Sequence, residues 1–169
     1  MLSLVIPVYR NAENLPRLFT ELERLASQLP GALEVVFVVD GSPDASIEIL
    51  RSRLPGWPVR SQLLELSRNV GSFAAIAAGL AAGRGEYFAV MAADMQEPPE
   101  LIGDFIRAWE KGIKVVVGVK PESHETAPMF ALRRLYYATI GRIAEVKLIP
   151  HYTGFGLYDR DVIEALRRI

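Results

Sequence analysis

Cysteine is absent from all 169 residues. That single absence removes disulfides, thiolate metal sites and cysteine nucleophiles together, and it is compatible with a reducing cytoplasm. An excess of charge is missing as well: 19 basic side chains against 20 acidic ones leave a net charge of -1. A surface that tracks a nucleic acid backbone needs a strong basic surplus, so nucleic acid is not an expected partner. Long hydrophobic runs are also lacking. The longest weakly polar stretch, Val70 to Gly83, is interrupted by glycine and falls short of the ~20 residues that a spanning helix requires. Met1 to Pro7 is apolar but has neither a basic leader nor a cleavage site, so it reads as a strand rather than a signal peptide. No internal repeat or low-complexity linker divides the chain.

Half of the residues are apolar and 23% are charged, enough for one good-sized core, so the chain is expected to form a single domain, 1–169. Apolar runs of strand length recur at Leu2–Ile6, Glu34–Val39, Gln62–Leu66, Tyr87–Met91 and Val115–Val119. The second and fifth are almost unbroken, as expected of strands covered on both faces. Segments of helical period lie between them. Leu15, Leu18, Phe19, Leu22 and Leu25 form a stripe that Asn14 is placed to cap. Asp44 precedes a shorter helix carrying Ile47, Ile49 and Leu50, and Ser72–Ala82 is a small-residue helix able to press closely on a sheet. Pro98 and Pro99 open a fourth helix, whose buried side is Leu101, Ile102, Phe105, Ile106 and Trp109. Met129, Leu132, Tyr136, Ile140 and Ile143 suggest a fifth. Lys120–Ala127 reads as a loop, and Asp161–Ile169 as a helix cut short, the end of a catalytic segment of something longer. Strand–helix alternation with short turns implies right-handed crossovers and a mostly parallel, doubly wound α/β sheet.

Ligands of such sheets bind at the carboxyl ends of the strands, and four of those ends carry unusual polar residues. Pro7–Asn14 follows the first strand and lacks the GxGxxG turn of a dinucleotide-binding domain, which argues against a nucleotide-dependent oxidoreductase. This glycine-free turn suits flat contact with a base or ribose. Asp40, after the most apolar strand, offers a carboxylate to base or ribose donors. Gly41 permits the sharp exit, and Asp44 is read as a helix cap. Arg68–Gly71 joins a fixed cation to the free amides of a helix start. Asp94 should project from the fourth strand. A hard cation bridging a diphosphate needs only one or two protein carboxylates, and Asp94 suits that role.

These segments resemble the family 2 glycosyltransferases of the GT-A fold, and most closely the branch that moves sugars onto polyprenyl phosphates, such as dolichyl-phosphate mannose synthases and bactoprenol glucosyltransferases. The resemblance is carried by SLVIPVYRNAENLPRLFTEL, VVFVVDGSPDAS, LSRNVGSFAAIAAGLAAGRGEYFAVMAADMQEPPELI and TGFGLYDRDVIEAL, which together span almost the whole chain. It implies a three-layer α/β/α sandwich with a mostly parallel central sheet. It also implies inverting transfer from a UDP- or GDP-linked sugar to an acceptor, a polyprenyl phosphate or a saccharide. By the same resemblance, Pro7, Tyr9 and Glu13 line the nucleotide pocket, Asp40 meets the base, and Gly41 and Ser42 shape that turn. Arg68, Asn69, Gly71 and Ala93 flank the donor. Asp94 holds Mg²⁺ or Mn²⁺, with Gln96 beside the sugar or the metal.

Two departures qualify the likeness. The family's Asp-Ala-Asp motif begins here with Ala92, and Gly154 stands where many relatives carry an aspartate. The alternative they raise is a nucleotide-sugar-binding domain with impaired or lost catalysis. A phosphate acceptor is already ionised and needs little help from a base. Arg133, Arg134 and Arg142 beside Tyr136 and Tyr137 offer a basic, aromatic face for peripheral contact with anionic lipid. The expected location is the cytoplasm, at the cytoplasmic face of a membrane.

Overall fold

The computed structural model describes residues 1–29, 33–119 and 152–168. The chain divides into two compact units, Met1–Val116 with Phe155–Ile169, and Val117–Gly154. The strands are β1 (Leu2–Val8), β2 (Leu33–Asp40), β3 (Arg60–Leu66), β4 (Tyr87–Val90), β5 (Val115–Val119) and β6 (Tyr152–Asp159). They form one sheet in the order β3-β2-β1-β4-β6-β5. β1 runs parallel to β2 and β4, and β2 parallel to β3, while β6 is antiparallel to β4. The described helices are α1 (Leu15–Gln28), α2 (Ser46–Arg53), α3 (Ser72–Ala82), α4 (Leu101–Glu110) and α5 (Arg160–Leu166).

The two-residue period of a strand sorts the central side chains onto opposite faces. Leu2, Leu4, Ile6 and Val8 of β1 join Leu33, Val35, Phe37 and Val39 of β2 in one core, beneath α1 and α4. Val5, Val36 and Val38 turn the other way and meet Ala75 of α3. Each of the eight residues of β2 is buried, the six apolar ones as their composition requires and Glu34 and Asp40 toward its two ends with them. The fifth run behaves otherwise. β5 lies at the sheet edge, and Val115 and Val119 are about half exposed, which overturns the expectation of cover on both faces.

The α1 stripe is buried as expected at Leu15, Leu18, Phe19, Leu22 and Leu25. Asn14, however, makes no side-chain cap. The carbonyl of Asn11 accepts from the amides of Asn14 at 2.9 Å and Leu15 at 3.2 Å instead. Pro98 and Pro99 precede α4 as turn residues rather than forming its first turn. The expected fifth helix around Met129–Ile143, the Lys120–Ala127 loop and the basic face at Arg133, Arg134, Arg142, Tyr136 and Tyr137 lie outside the described residues. No helix among the described residues is long and apolar enough to cross a membrane.

Small residues let α3 approach the sheet. A Cβ on Gly79 would lie 2.3 Å from Cγ1 of Val5 and 2.9 Å from Cγ2 of Val38. Both are stiff, β-branched side chains in the buried sheet, so neither has room to give. Gly79→Ala should therefore destabilise the fold despite alanine's better helix propensity. A net cost of about 2 kcal/mol is expected, lowering the melting midpoint by roughly 4–8 °C. A midpoint equal to or above the parent's would mean that α3 lifts off the sheet freely.

Candidate active site

The carboxyl ends of β1, β2 and β4 surround a crevice of about 210 Å³. Pro7, Val8, Tyr9 and Asn11 line it from the β1–α1 turn, Asp40 from the tip of β2, and Asn69, Gly71 and Ser72 from the start of α3. Ala92, Ala93 and Asp94 close it from the turn after β4. Sites that enclose whole small molecules run to about 300–1,000 Å³. This crevice therefore has room for only part of a small molecule of that size.

Sequence reasoning names Pro7, Tyr9, Asp40, Asn69, Gly71, Ala93 and Asp94, and the structure brings all seven to this crevice. Others fall outside its lining. The side chain of Glu13 is exposed on the approach to α1, and Arg68 is exposed one residue before Asn69. Gly41 and Ser42 face a separate hollow, shared with Glu65 and Ser67. Gln96 is exposed, and its side-chain amide donates to Oδ2 of Asp94 at 2.9 Å. Asn11 and Ser72 line the crevice without having been singled out. Their signal was position alone, one turn residue and one helix-start residue beside the named ones.

Asp40 is almost wholly buried, and its carboxylate is already engaged. Oδ1 accepts from the Val70 amide at 2.7 Å, and Oδ2 from the Gly71 amide at 2.9 Å. The Asn69 side chain donates back to the Asp40 carbonyl at 3.3 Å. Gly41 completes this junction. Its φ is +56°, and a Cβ there would sit 2.3 Å from the Asn69 nitrogen, so no other residue fits without moving the backbone of the next loop. The tip of β2 therefore fixes where α3 begins.

Asp44 is not the cap read from sequence: the α2 cap position is Ala45, which has no side-chain cap, and the Asp44 carboxylate one residue earlier binds across two turns instead. Its Oδ1 accepts from the Ser46 amide at 3.2 Å and from the Ser42 hydroxyl at 2.6 Å, while Oδ2 accepts from the Ala12 amide at 2.9 Å. Partial burial pushes its pKa up, but the hydrogen bonds from Ser42, Ala12 and Ser46 outweigh that and bring it down to about 2. The group is an anion throughout the ordinary pH range.

Among the described residues, the non-glycine residues of positive φ are Arg10 at 55° and Met95 at 53°. One sits between Tyr9 and Asn11, the other directly after Asp94, so both border the crevice. Side chains pay for that conformation, and it persists where neighbours enforce it, often at functional sites. The Arg10 guanidinium lies 5.4 Å from the centroid of the Tyr9 ring, placing a cation over an aromatic face.

Asp94 is exposed at the crevice mouth, and no cluster of three or more acidic or histidine side chains suited to a metal occurs among the described residues. A lone carboxylate with a neighbouring amide oxygen cannot cage a bare cation. It does fit a hard divalent cation delivered with a diphosphate, whose own oxygens and waters complete the coordination shell.

Comparison with known proteins agrees with this architecture. The chain is 35% identical over 169 residues to the uncharacterised glycosyltransferase YkcC of Bacillus subtilis, covering 99% of this chain and 52% of that protein. It is 32% identical over 166 residues to undecaprenyl-phosphate 4-deoxy-4-formamido-L-arabinose transferase of Pseudomonas aeruginosa, covering 98% and 49%. The chain thus spans about half the length of the curated relatives it matches. Among solved structures, it aligns with a mannosyltransferase of Pyrobaculum calidifontis in complex with GDP-Man and Mn²⁺, at TM-score 0.69 and 19% identity over 98% of this chain and 46% of that one. It also aligns with S. aureus TarS in complex with UDP-GlcNAc, at TM-score 0.66 and 17% identity over 98% and 47%. Their shared architecture is the GT-A fold expected from the sequence. Residues 3–167 match the profile of glycosyl transferase family 2, and with the strand-end crevice in place the chain belongs to that family.

Proposed function

We propose that the crevice binds the nucleotide half of a UDP- or GDP-sugar and that the sugar is passed, with inversion, to a polyprenyl phosphate. The observation that carries this reading is the convergence of Tyr9, Asp40, Asn69, Gly71 and Asp94 at the carboxyl ends of β1, β2 and β4. Tyr9 offers a flat ring to a base. The Asp40 carboxylate has lone pairs beyond the two used by Val70 and Gly71, and these take a base or ribose donor. Asp94, with Gln96, faces the diphosphate and would hold Mg²⁺ or Mn²⁺ there. Such a cation neutralises charge gathering on the departing nucleoside diphosphate. The acceptor oxygen attacks the anomeric carbon from the side opposite the leaving group. The new carbon–oxygen bond forms as the bond to the diphosphate breaks, and UDP or GDP departs with that electron pair. An acceptor phosphate is already ionised at neutral pH, so the step needs no protein base, and Gly154 in place of an aspartate is no obstacle. The undecaprenyl-phosphate substrate in the name of the Pseudomonas relative supports this acceptor class.

Calorimetric titration with UDP and with GDP, each with and without Mn²⁺, paired with a donor-hydrolysis assay, tests the reading. Binding of one nucleotide that tightens with Mn²⁺ is the expected result. Asp94→Ala should keep the metal-free affinity, lose the Mn²⁺ enhancement, and lower turnover on the order of 100-fold or more. Binding without turnover across many sugar donors would instead favour a nucleotide-sugar-binding domain, the reading that Ala92 raises. Absence of any nucleotide binding would dispose of both.

A further inference from the structure

Asp44 lies outside the crevice lining, yet its hydrogen bonds lead into it. The Ser42 hydroxyl accepts from the Arg10 amide at 2.7 Å and donates to Oδ1 of Asp44 at 2.6 Å, while Oδ2 of Asp44 accepts from the Ala12 amide at 2.9 Å. These contacts join residues 32 positions apart in sequence and grip the β1–α1 turn on both sides of Asn11. Within that grip Arg10 holds its unfavourable φ of 55°, Asn11 receives the Tyr9 amide on its side-chain oxygen at 3.2 Å, and Tyr9 and Asn11 both face the crevice. Toward α2, Asp44 supplies only the bond to the Ser46 amide, one residue beyond the Ala45 cap position. The remaining three bonds of the relay do nothing for α2. They set the shape of the neighbouring turn.

We propose that Asp44, acting through Ser42, is a positioning residue that locks the Tyr9–Asn11 turn in its ligand-ready shape. The inference rests on the nucleotide reading of the crevice for its consequence, though not for its geometry. A turn already held in place pays no ordering cost when a ligand arrives, so releasing it should weaken binding without touching the contacts themselves.

Ser42→Ala separates the two roles of Asp44, because it cuts the link to Arg10 and leaves the bonds to Ser46 and Ala12 intact. Hydrogen exchange of the ligand-free protein is the first readout. Ser42→Ala should expose the Arg10 amide, and Asp44→Ala should expose both Arg10 and Ala12, with β1 and α1 still protected. Titration with UDP or GDP in the presence of Mn²⁺, whichever the parent binds, is the second. Each variant should weaken binding about tenfold, and the double variant should be no worse than Asp44→Ala alone, since the groups act in series. In the transfer assay KM for the donor should rise while kcat changes little. Parent-like protection of Arg10 in Ser42→Ala would overturn the proposal whatever the ligand proves to be. So would loosened exchange with unchanged nucleotide affinity. A parent that binds neither nucleotide removes the functional reading instead, and the exchange result then decides the locking device by itself.

Discussion

Asp40→Asn should reduce UDP or GDP affinity on the order of 100-fold while the protein remains folded. The substitution keeps the shape of the side chain but turns one of its two oxygens into an N–H donor. In the parent those oxygens accept the Val70 and Gly71 amides at 2.7 and 2.9 Å. One of these amides must then face another donor, and neither rotamer avoids it. Those two bonds are internal and bear on stability; affinity falls because the proposed bond from the carboxylate to a base or ribose donor is lost as well. A hydrogen bond to a charged acceptor contributes about 1.5–3 kcal/mol, and each 1.4 kcal/mol is a factor of ten in binding, so its loss with a misplaced turn accounts for roughly two decades. Stability should suffer less. Val70 is exposed and Gly71 partly so, and their amides find water once the turn opens. The expected signature is a melting midpoint lowered by a few degrees, about 2–4 °C per kcal/mol for a chain of this size, beside a large loss in calorimetric affinity. Parent-like affinity in Asp40→Asn would remove this carboxylate from both roles, shaping the crevice and meeting the base.

The contrast between Asp40 and Asp44 shows what a sequence can and cannot disclose. Both stand in the Asp40–Asp44 turn, and both could be read from it as polar residues at a strand end. The sheet around them was legible because Leu2–Val8 and Leu33–Asp40 are nearly pure apolar strands with a fixed side-chain period, a local property of the chain. Ser72–Ala82 was legible for the same kind of reason, and the close approach at Gly79 follows from its small residues. What Asp44 touches is not local: its partner at Ala12 lies 32 residues away, and nothing in the spacing of the two segments announces the bond. Asn14 makes no cap because its backbone is already helical, at φ -84° and ψ -27°, and Pro16 two residues on has no N–H to donate. β6 carries Gly154 and Gly156, which by composition do not mark a strand. Its antiparallel pairing with β4, Ala89 against Leu157 and Val90 against Gly156, is set by the partner strand. The composition of Val115–Val119 predicts a buried strand because composition reports hydrophobicity, whereas its place at the sheet edge is a matter of topology. Of the site residues, those on strand tips and helix starts reached the crevice. Glu13 and Arg68 carry exposed side chains whose direction depends on backbone turns that sequence does not specify, while Gln96 stays outside the lining but bonded to Asp94.

At the opposite, amino edge of the sheet, removal of Glu34 should produce the largest loss of stability expected of any polar substitution in the described chain. Glu34 is fully buried. Its Oε2 accepts from the Ser3 hydroxyl at 2.6 Å and the Arg84 amide at 2.9 Å, and Oε1 accepts from the Gln62 side chain at 2.9 Å. Ser3 accepts in turn from the Gly85 amide at 2.7 Å, and Gln62 also donates to the Ala82 carbonyl at 3.0 Å. One carboxylate thus ties together β1, β2, β3 and the connection from α3 to β4. Glu34→Ala leaves several donors without their acceptor, and a buried unsatisfied group costs about 1–3 kcal/mol. A total near 3 kcal/mol would lower the melting midpoint by roughly 6–12 °C. Burial by itself would raise the Glu34 pKa above its usual 4.5, but the bonds from Ser3, Arg84 and Gln62 prevail and hold it lower. The sign follows from linkage: the folded state favours the ionised form, so this contribution is complete above pH 4.5 and fades as pH falls through the lower folded value. Urea midpoints of the parent and Glu34→Gln, compared from pH 7 down to pH 3, isolate the effect from other carboxylates because those are common to both. The gap between the two should be widest at neutral pH and shrink in acid. A gap that stays constant would mean that the charge on Glu34 contributes nothing and that only its packing matters.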